Sequence, residues 1–126
     1  MTMTSSRPYL LRAIYDWIVD NNLTPYLLVN AEQEGVQVPE QYVEKGKIVL
    51  NVSPRAVQAL DLANERITFS ARFAGRPMEV NVPVTAALAI YAKENGQGMI
   101  FTDEDDGDEP PPSPDKPNRP QLKVVK

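Results

Sequence analysis

The composition of this chain changes abruptly near residue 103, and that change limits which part of it can fold. Residues 103–118 contain no aliphatic or aromatic side chain, but they hold seven acidic residues and five of the twelve prolines. Such a segment cannot bury enough apolar surface to offset the entropy lost on ordering, so we expect it to be disordered and extended. One globular domain is therefore expected over residues 1–102, since typical domains hold about 100–150 residues.

The two parts of the chain also differ in charge. The first 102 residues carry 9 basic and 10 acidic side chains, a net charge of −1, whereas residues 103–126 carry 4 basic and 7 acidic side chains, a net charge of −3. In the second part every acid precedes Lys116, and every base lies at or after it. The near-neutral body lacks the strongly basic balance that is typical of nucleic-acid-binding domains.

The chain contains no His and no Cys. It therefore cannot use a thiolate nucleophile, an imidazole base, a disulfide, or a zinc or haem site built from Cys and His. A carboxylate pair such as Asp61 and Glu65 is the remaining basis for an enzyme, and no supporting nucleophile or metal-ligand spacing accompanies it. We expect a protein that is not an enzyme and has no cofactor and no metal.

The N-terminus and the hydropathy indicate where the protein resides. No apolar run approaches the ~18–20 residues that a membrane-spanning helix needs. The first eight residues lack the basic flank and apolar core of a secretory signal. We expect a cytoplasmic protein that does not bind membranes.

The hydrophobic periodicity predicts a mainly β body with two helices. A first helix is expected from about residue 7, with Ser5 or Ser6 as its cap, and a second is expected from Pro83 to Gly96. Between them, the alternation of apolar and polar residues over 66–73 and 78–82 predicts a hairpin, and shorter apolar runs predict strands at 26–29 and 48–52. Residues 56–62 fit either a helical turn or an irregular strand, and 99–101 fit a last short strand. These elements predict a small, strongly bent or barrel-like antiparallel sheet.

The first predicted helix has an unusually broad apolar arc. Leu10, Ile14, Trp17 and Ile18 form one stripe along it. This stripe could dock on the core of its own domain, or part of it could pack against a second subunit. The sequence pattern leaves both interpretations open.

Apolar side chains return at the very end of the chain. Leu122, Val124 and Val125 follow the acidic, Pro-rich segment, with Arg119, Lys123 and Lys126 around them. An apolar and basic octapeptide on a flexible tether is typical of a short linear motif that adds a strand to a partner's sheet or fills a small groove. A terminal strand that folds back on the body is the alternative.

Several motifs along the chain, in this order, resemble one protein family, the stringent starvation protein B (SspB) family of adaptors for the ClpXP protease. The resemblance covers nearly all of the body and the last eight residues. The motifs are Arg7-Pro8-Tyr9-Leu10-Leu11-Arg12-Ala13, Asp16-Trp17, Leu23-Thr24-Pro25, Gly35-Val36-Gln37-Val38-Pro39, Ile48-Val49-Leu50-Asn51, Pro54-Arg55-Ala56-Val57, Leu62-Ala63-Asn64, Ala71-Arg72-Phe73, Ala89-Ile90-Tyr91-Ala92 and, at the end, Arg119-Pro120, Leu122 and Val124-Val125-Lys126.

The resemblance implies a fold, partners and a mechanism. It implies a small, partly open barrel of SH3-like or Sm-like topology that forms a homodimer through its N-terminal helix, with Leu10, Ile14, Trp17 and Ile18 at the interface. It further implies that the body binds the ssrA tag, the peptide that trans-translation adds to stalled nascent chains. The C-terminal motif would dock on the N-terminal zinc-binding domain of ClpX, and residues 103–118 would be the linker between the two sites.

The resemblance also places the two binding sites on particular residues. For the tag peptide it implies a groove near the loop at 53–57 and the strand at 71–73, where we expect contacts from Ala56, Val57, Phe69, Arg72 and Phe73. Ordinary core packing is the alternative for Phe69 and Phe73. For ClpX docking we expect Arg119, Pro120, Leu122, Val124, Val125 and Lys126 over residues 119–126. The linker looks short for the family, and Gln121 and Lys123 depart from its pattern.

An Sm-like RNA-binding module is the alternative function, because small barrels of this kind often bind RNA. It would need a basic surface or stacked aromatic side chains. The net charge of −1 over the body and the nine aromatic residues of the whole chain disfavour it.

Overall fold

The computed structural model describes residues 5–101. One helix, α1 (Arg7–Asp20), precedes seven strands: β1 (Pro25–Asn30), β2 (Lys47–Asn51), β3 (Val57–Leu62), β4 (Arg66–Phe73), β5 (Arg76–Pro83), β6 (Ala87–Ala92) and β7 (Gly98–Ile100). Short 3₁₀ turns lie at Glu40–Tyr42 and Val84–Ala86. The predicted mainly β architecture and N-terminal helix are confirmed.

The strands form two antiparallel sheets. The first has the order β2-β1-β6-β7 and the second the order β3-β4-β5. The β4–β5 hairpin pairs over its full length, from Arg66 opposite Pro83 to Phe73 opposite Arg76, as the alternation of residues 66–82 predicts. Within residues 5–101 the sheets do not close into a complete barrel, so the partly open fold is confirmed.

The predicted second helix is wrong. Residues 84–86 form a 3₁₀ turn, and residues 87–92 form β6, a strand at the centre of the first sheet. The run is rich in Ala and Leu, which favour helices, but it lies between β1 and β7 and exchanges backbone hydrogen bonds with both. Residues 56–62, which the pattern left undecided, form β3 with a register shift between Gln58 and Asp61.

The core lies between the two sheets, and α1 covers one end of it. Leu11 and Ile18 of α1 join side chains from both sheets, and Phe69 on β4 is among the largest of the fully buried residues. Arg7, at the start of α1, is also buried. Its Nη1 donates to the carbonyl oxygens of Thr85 (3.1 Å) and Ala87 (3.0 Å), and its guanidinium lies 5.5 Å from the centre of the Phe101 ring. Arg7 thus joins the helix to both ends of the segment 85–101.

Candidate functional site

An open groove lies where the loop before β3 meets the β3–β4–β5 sheet. It has a volume of about 430 Å³ and is lined by residues 54–58 and 70–72 together with Pro77. Pro77 pairs with Arg72 across the β4–β5 hairpin, and Gln58 pairs with Ser70 across β3 and β4. Three adjacent strands and one loop therefore build the groove, and ligand sites in this size range are common.

A tight turn holds the loop side of the groove in place. The side chain of Asn51 accepts a hydrogen bond from the N–H of Ser53 (3.0 Å). The carbonyl oxygen of Ser53 in turn accepts from the N–H groups of Ala56 (2.9 Å) and Val57 (3.2 Å). This turn directs Val57 into the core and leaves Arg55 and Ala56 exposed at the groove.

The charge of the groove is positive. Arg55 and Arg72 are its only charged lining residues, and both are exposed. Nη1 of Arg72 makes one long hydrogen bond, 3.3 Å, to the carbonyl oxygen of Gly75. Guanidinium groups bind carboxylates and carbonyl oxygens through several N–H donors, so the groove is suited to an extended peptide with acidic side chains.

The groove brings together three of the five residues predicted to bind the tag. Ala56, Val57 and Arg72 line it. Phe69 does not, because its ring is 2% exposed within the core, in agreement with the core interpretation that the sequence left open. Phe73 does not line it either, and is half-buried against Tyr42, with 5.9 Å between the ring centres.

Sequence reasoning missed several of the lining residues. Arg55 precedes Ala56, a predicted contact, and its positive charge is a sequence signal for binding an acidic peptide. Gln58, Ser70 and Pro77 carried no such signal, because the strand register that places them beside Arg72 depends on the β3–β4–β5 pairing.

The outer face of α1 is a second candidate surface. Of the four residues predicted at a dimer interface, Trp17 is 48% exposed, Leu10 and Ile14 are partly buried, and Ile18 is buried in the core. Tyr9, two helical turns before Trp17, is 49% exposed, and Arg12 lies 4.7 Å from the centre of its ring. Two large, half-exposed aromatic side chains on one helix suit a protein interface.

Two further predictions from the sequence are the carboxylate pair and the C-terminal docking motif with its linker. Asp61 and Glu65 are both exposed. The six residues predicted to dock on ClpX, and the linker at 103–118, lie outside the described residues, so these predictions stay predictions. Over residues 5–101 no group of three or more carboxylates could hold a metal ion, and no helix is long and apolar enough to cross a membrane.

Comparison with known proteins decides the family. A sequence model described as "Stringent starvation protein B" matches residues 5–123. The chain belongs to the stringent starvation protein B family. It is also 56% identical over 103 residues to the stringent starvation protein B homolog of Haemophilus influenzae (strain ATCC 51907 / DSM 11121 / KW20 / Rd), an alignment that covers 82% of this chain and 69% of the relative. The stringent starvation protein B family is an adaptor family rather than an enzyme family.

Proposed function

We propose that this protein is an adaptor that binds ssrA-tagged proteins and tethers them to ClpX, so that ClpXP degrades them faster. Family membership supports an adaptor role. The observation that carries the tag assignment is the groove of residues 54–58, 70–72 and Pro77, because its two charged side chains are both basic. The tag contains Asp and Glu, which these guanidinium groups would bind.

In this proposal each side of the groove has its own role. Arg72 and Arg55 bind the carboxylates or carbonyl oxygens of the tag. Ala56 has a small side chain, which allows the backbone of an extended peptide to approach closely. Val57 and Ala71, at the base of the groove, contact its apolar residues.

The proposed mechanism requires no chemistry by the adaptor. The body holds the tagged substrate, residues 119–126 hold the zinc-binding domain of ClpX, and residues 103–118 join the two. A flexible linker of this length has a root-mean-square span of roughly 20–25 Å, which corresponds to an effective concentration on the order of mM. A homodimer formed through the outer face of α1 would carry two tails and dock twice.

A pull-down that separates the two sites tests the proposal. The full chain is expected to capture both an ssrA-tagged protein and ClpX, whereas a chain that ends at Asn118 is expected to capture only the tagged protein. Val125→Asp is expected to act like the truncation, because it places a charge among the apolar anchors Leu122 and Val124. Degradation of a tagged substrate by ClpXP that is as fast with Val125→Asp as with the unchanged protein would contradict the docking assignment.

If the protein is instead an Sm-like RNA-binding module, we expect it to bind RNA and not the tag peptide. This function requires binding to RNA that weakens steeply with salt, because phosphate contacts release counterions. A gel shift with single-stranded RNA at low and high salt, run beside the tag-binding assay, distinguishes the two functions.

A further inference from the structure

A second cleft lies at the outer edge of β5, next to the groove but separate from it. It has a volume of about 650 Å³ and is lined by Ala31, residues 36–38, Glu40, Val43, Met78 and Glu79. None of these residues lines the groove that we propose for the tag. The cleft is therefore a separate surface from the groove.

The backbone at this cleft is ready to accept another strand. Gln37 and Asn81 exchange two backbone hydrogen bonds, of 2.7 and 3.1 Å, at the edge of β5. In an antiparallel strand every second residue presents its N–H and C=O groups to the same edge, so Glu79 presents its own toward the cleft. Within residues 5–101 the pairing of Gln37 with Asn81 is an isolated bridge, and no backbone pairing continues it opposite Glu79.

The side chains of the cleft define the chemistry of a suitable strand. Val36, Val38, Val43 and Met78 supply apolar contacts, while Glu40 and Glu79 are the only charged lining residues and are both acidic. A matching segment is apolar at alternate positions, extended and basic. The positively charged tag groove, lined by Arg55 and Arg72, has the opposite preference.

The C-terminal segment of this chain is of that kind. Residues 119–126 place Leu122 and Val124 two apart, so that in a strand both would point the same way, with Lys123 between them and Arg119 and Lys126 on either side. We propose that the cleft on the β5 edge binds the C-terminal segment 119–126 of its own chain. Leu122 and Val124 contact the apolar side chains of the cleft, and the bases meet Glu40 and Glu79.

The point at which the described chain ends favours this occupant. Phe101 lies under the guanidinium of Arg7, and Arg7 donates to the carbonyl oxygen of Thr85. The hydroxyl of Thr85 in turn accepts a hydrogen bond from Nε2 of Gln33, which lies in the loop that leads into the cleft wall. A flexible chain of about 20 residues, the length that separates Phe101 from Leu122, has a root-mean-square span of roughly 22–27 Å, so the segment can reach this wall.

The contact has a regulatory consequence, which rests on the proposed function. A tethered segment faces its cleft at an effective concentration on the order of mM, so even a weak contact is well populated. The same residues cannot occupy the cleft and dock on ClpX. The cleft would therefore hold the docking segment until a tighter partner removes it.

A spin label on the full chain tests the contact without reference to the tag or to ClpX. The protein has no cysteine, so Asn118→Cys provides a unique attachment site beside the segment. We expect amide signals of residues 36–43 and 78–79 to broaden at low salt, and those of the tag groove at 54–58 to broaden much less. Raising the salt to about 1 M, where the Debye length is near 3 Å, is expected to remove most of the broadening.

Matched variants decide whether the cleft itself is the partner. The double variant Glu40→Lys, Glu79→Lys is expected to lose most of the broadening. Asp61→Lys with Glu65→Lys, which changes two exposed acids elsewhere by the same total charge, is expected to keep it. Leu122→Asp with Val124→Asp alters only the tail, so it cannot unfold the body, and it is expected to abolish the broadening.

Three results would overturn the proposal. The first is broadening centred on another surface, and the second is broadening that survives the Glu40 and Glu79 changes. The third is broadening that is equally strong in a mixture in which one chain carries the isotope label and another carries the spin label. The last result would assign the cleft to the tail of a second copy. None of the three depends on tag binding or ClpX docking, so a failure of the proposed function would be seen separately.

Discussion

Arg7 joins three parts of the molecule that lie far apart in the sequence. It is 2% exposed, and its guanidinium contacts the carbonyl oxygens of Thr85 and Ala87 and the ring of Phe101. A buried charge is tolerated when hydrogen bonds compensate for the lost water, and backbone carbonyls do so here. The helix start and the end of the described chain are therefore held in one fixed relation.

The carboxylate of Glu94 is held by Thr24 and predicts a measurable pH dependence. The N–H of Thr24 donates to it at 2.8 Å and the Thr24 hydroxyl at 2.7 Å, and these bonds, the backbone one first, lower the pKa of Glu94 below its ordinary value. A lowered pKa in the folded state means that the contact stabilises the protein at neutral pH and that this stabilisation is lost as the pH falls through the folded-state pKa. Carboxyl NMR titration is expected to show the lowered value.

Thr24→Val is the matched change for this titration. It removes the hydroxyl donor but keeps the backbone N–H and the side-chain shape, so the pKa of Glu94 is expected to rise part of the way toward its ordinary value. If the pKa of Glu94 is unchanged in Thr24→Val, the Thr24 hydroxyl does not contribute to lowering it.

Arg72 offers the most direct test of the groove. We expect Arg72→Glu to weaken tag-peptide binding by about tenfold or more, because a hydrogen bond to a charged group contributes about 1.5–3 kcal/mol and the new carboxylate repels the acids of the tag. Fluorescence anisotropy with a labelled tag peptide measures this. Arg66→Glu is the control, because Arg66 lies on the same strand and the same face but does not line the groove.

Among the elements, β6 is a strand because its pairing with neighbouring strands outweighs the preference of its residues for helix. Residues 87–92 contain three alanines, and their apolar spacing also fits a helix. Leu27 and Ile90, however, are cross-strand partners and both are buried, so as a strand this segment pairs with its neighbours in the sheet and contributes Ile90 to the core. A helix at this position would leave the edge of β1 unpaired.

The turn from β6 to β7 depends on Gly98, which has no side chain to obstruct the approach of the two strands. A Cβ atom at this position would lie 2.0 Å from the carbonyl oxygen of Ile90 and 2.5 Å from the Cα of Tyr91. Both atoms are backbone, so Gly98→Ala is expected to lower the free energy of unfolding by at least about 1–3 kcal/mol. Denaturant unfolding followed by circular dichroism measures the change.

Ile100→Ala provides the comparison on the same strand. Ile100 is 77% exposed, so we expect its truncation to alter the free energy of unfolding by no more than about 0.5 kcal/mol. Equal effects of the two substitutions would show that β7 is not packed against β6 as described.

At the scale of the whole molecule, the candidate surfaces lie on different elements. The groove proposed for the tag uses the loop at 53–57 and the β3–β4–β5 sheet, whereas Tyr9 and Trp17 lie on α1. Of these surfaces, the α1 face is the one that we propose for the homodimer. Separate surfaces would allow tag binding and dimerisation to occur together.

Trp17 tests the proposed dimer. A large aromatic side chain at the centre of an interface often contributes more than 2 kcal/mol, so Trp17→Asp is expected to convert the dimer to a monomer in analytical ultracentrifugation. Val49→Asp is the control, because Val49 is similarly exposed, at 45%, but lies on β2. If both variants sediment like the unchanged protein, the α1 face is not the interface.

Much of the fold could be predicted from local patterns, and the failures have a physical cause. The helix at Arg7–Asp20 and the hairpin of β4 and β5 follow from periodicities that one element carries by itself. The second helix was wrong because strand pairing with β1 and β7 overrode a local preference for helix. Of the predicted tag contacts, Phe69 and Phe73 do not line the groove, because alternation shows which residues share a face but not which face is covered.

Residue types and their local order were enough to establish the family, the positions of α1 and the hairpin, and the division of charge near residue 103. The three-dimensional contacts were needed to show that β6 is a strand, that Arg7 is buried, and that Gln58, Ser70 and Pro77 lie beside Arg72. Folding also created the acidic cleft, by bringing Val36 and Val43 to the outer edge of β5. These features depend on contacts between residues far apart in the chain, which no local pattern encodes.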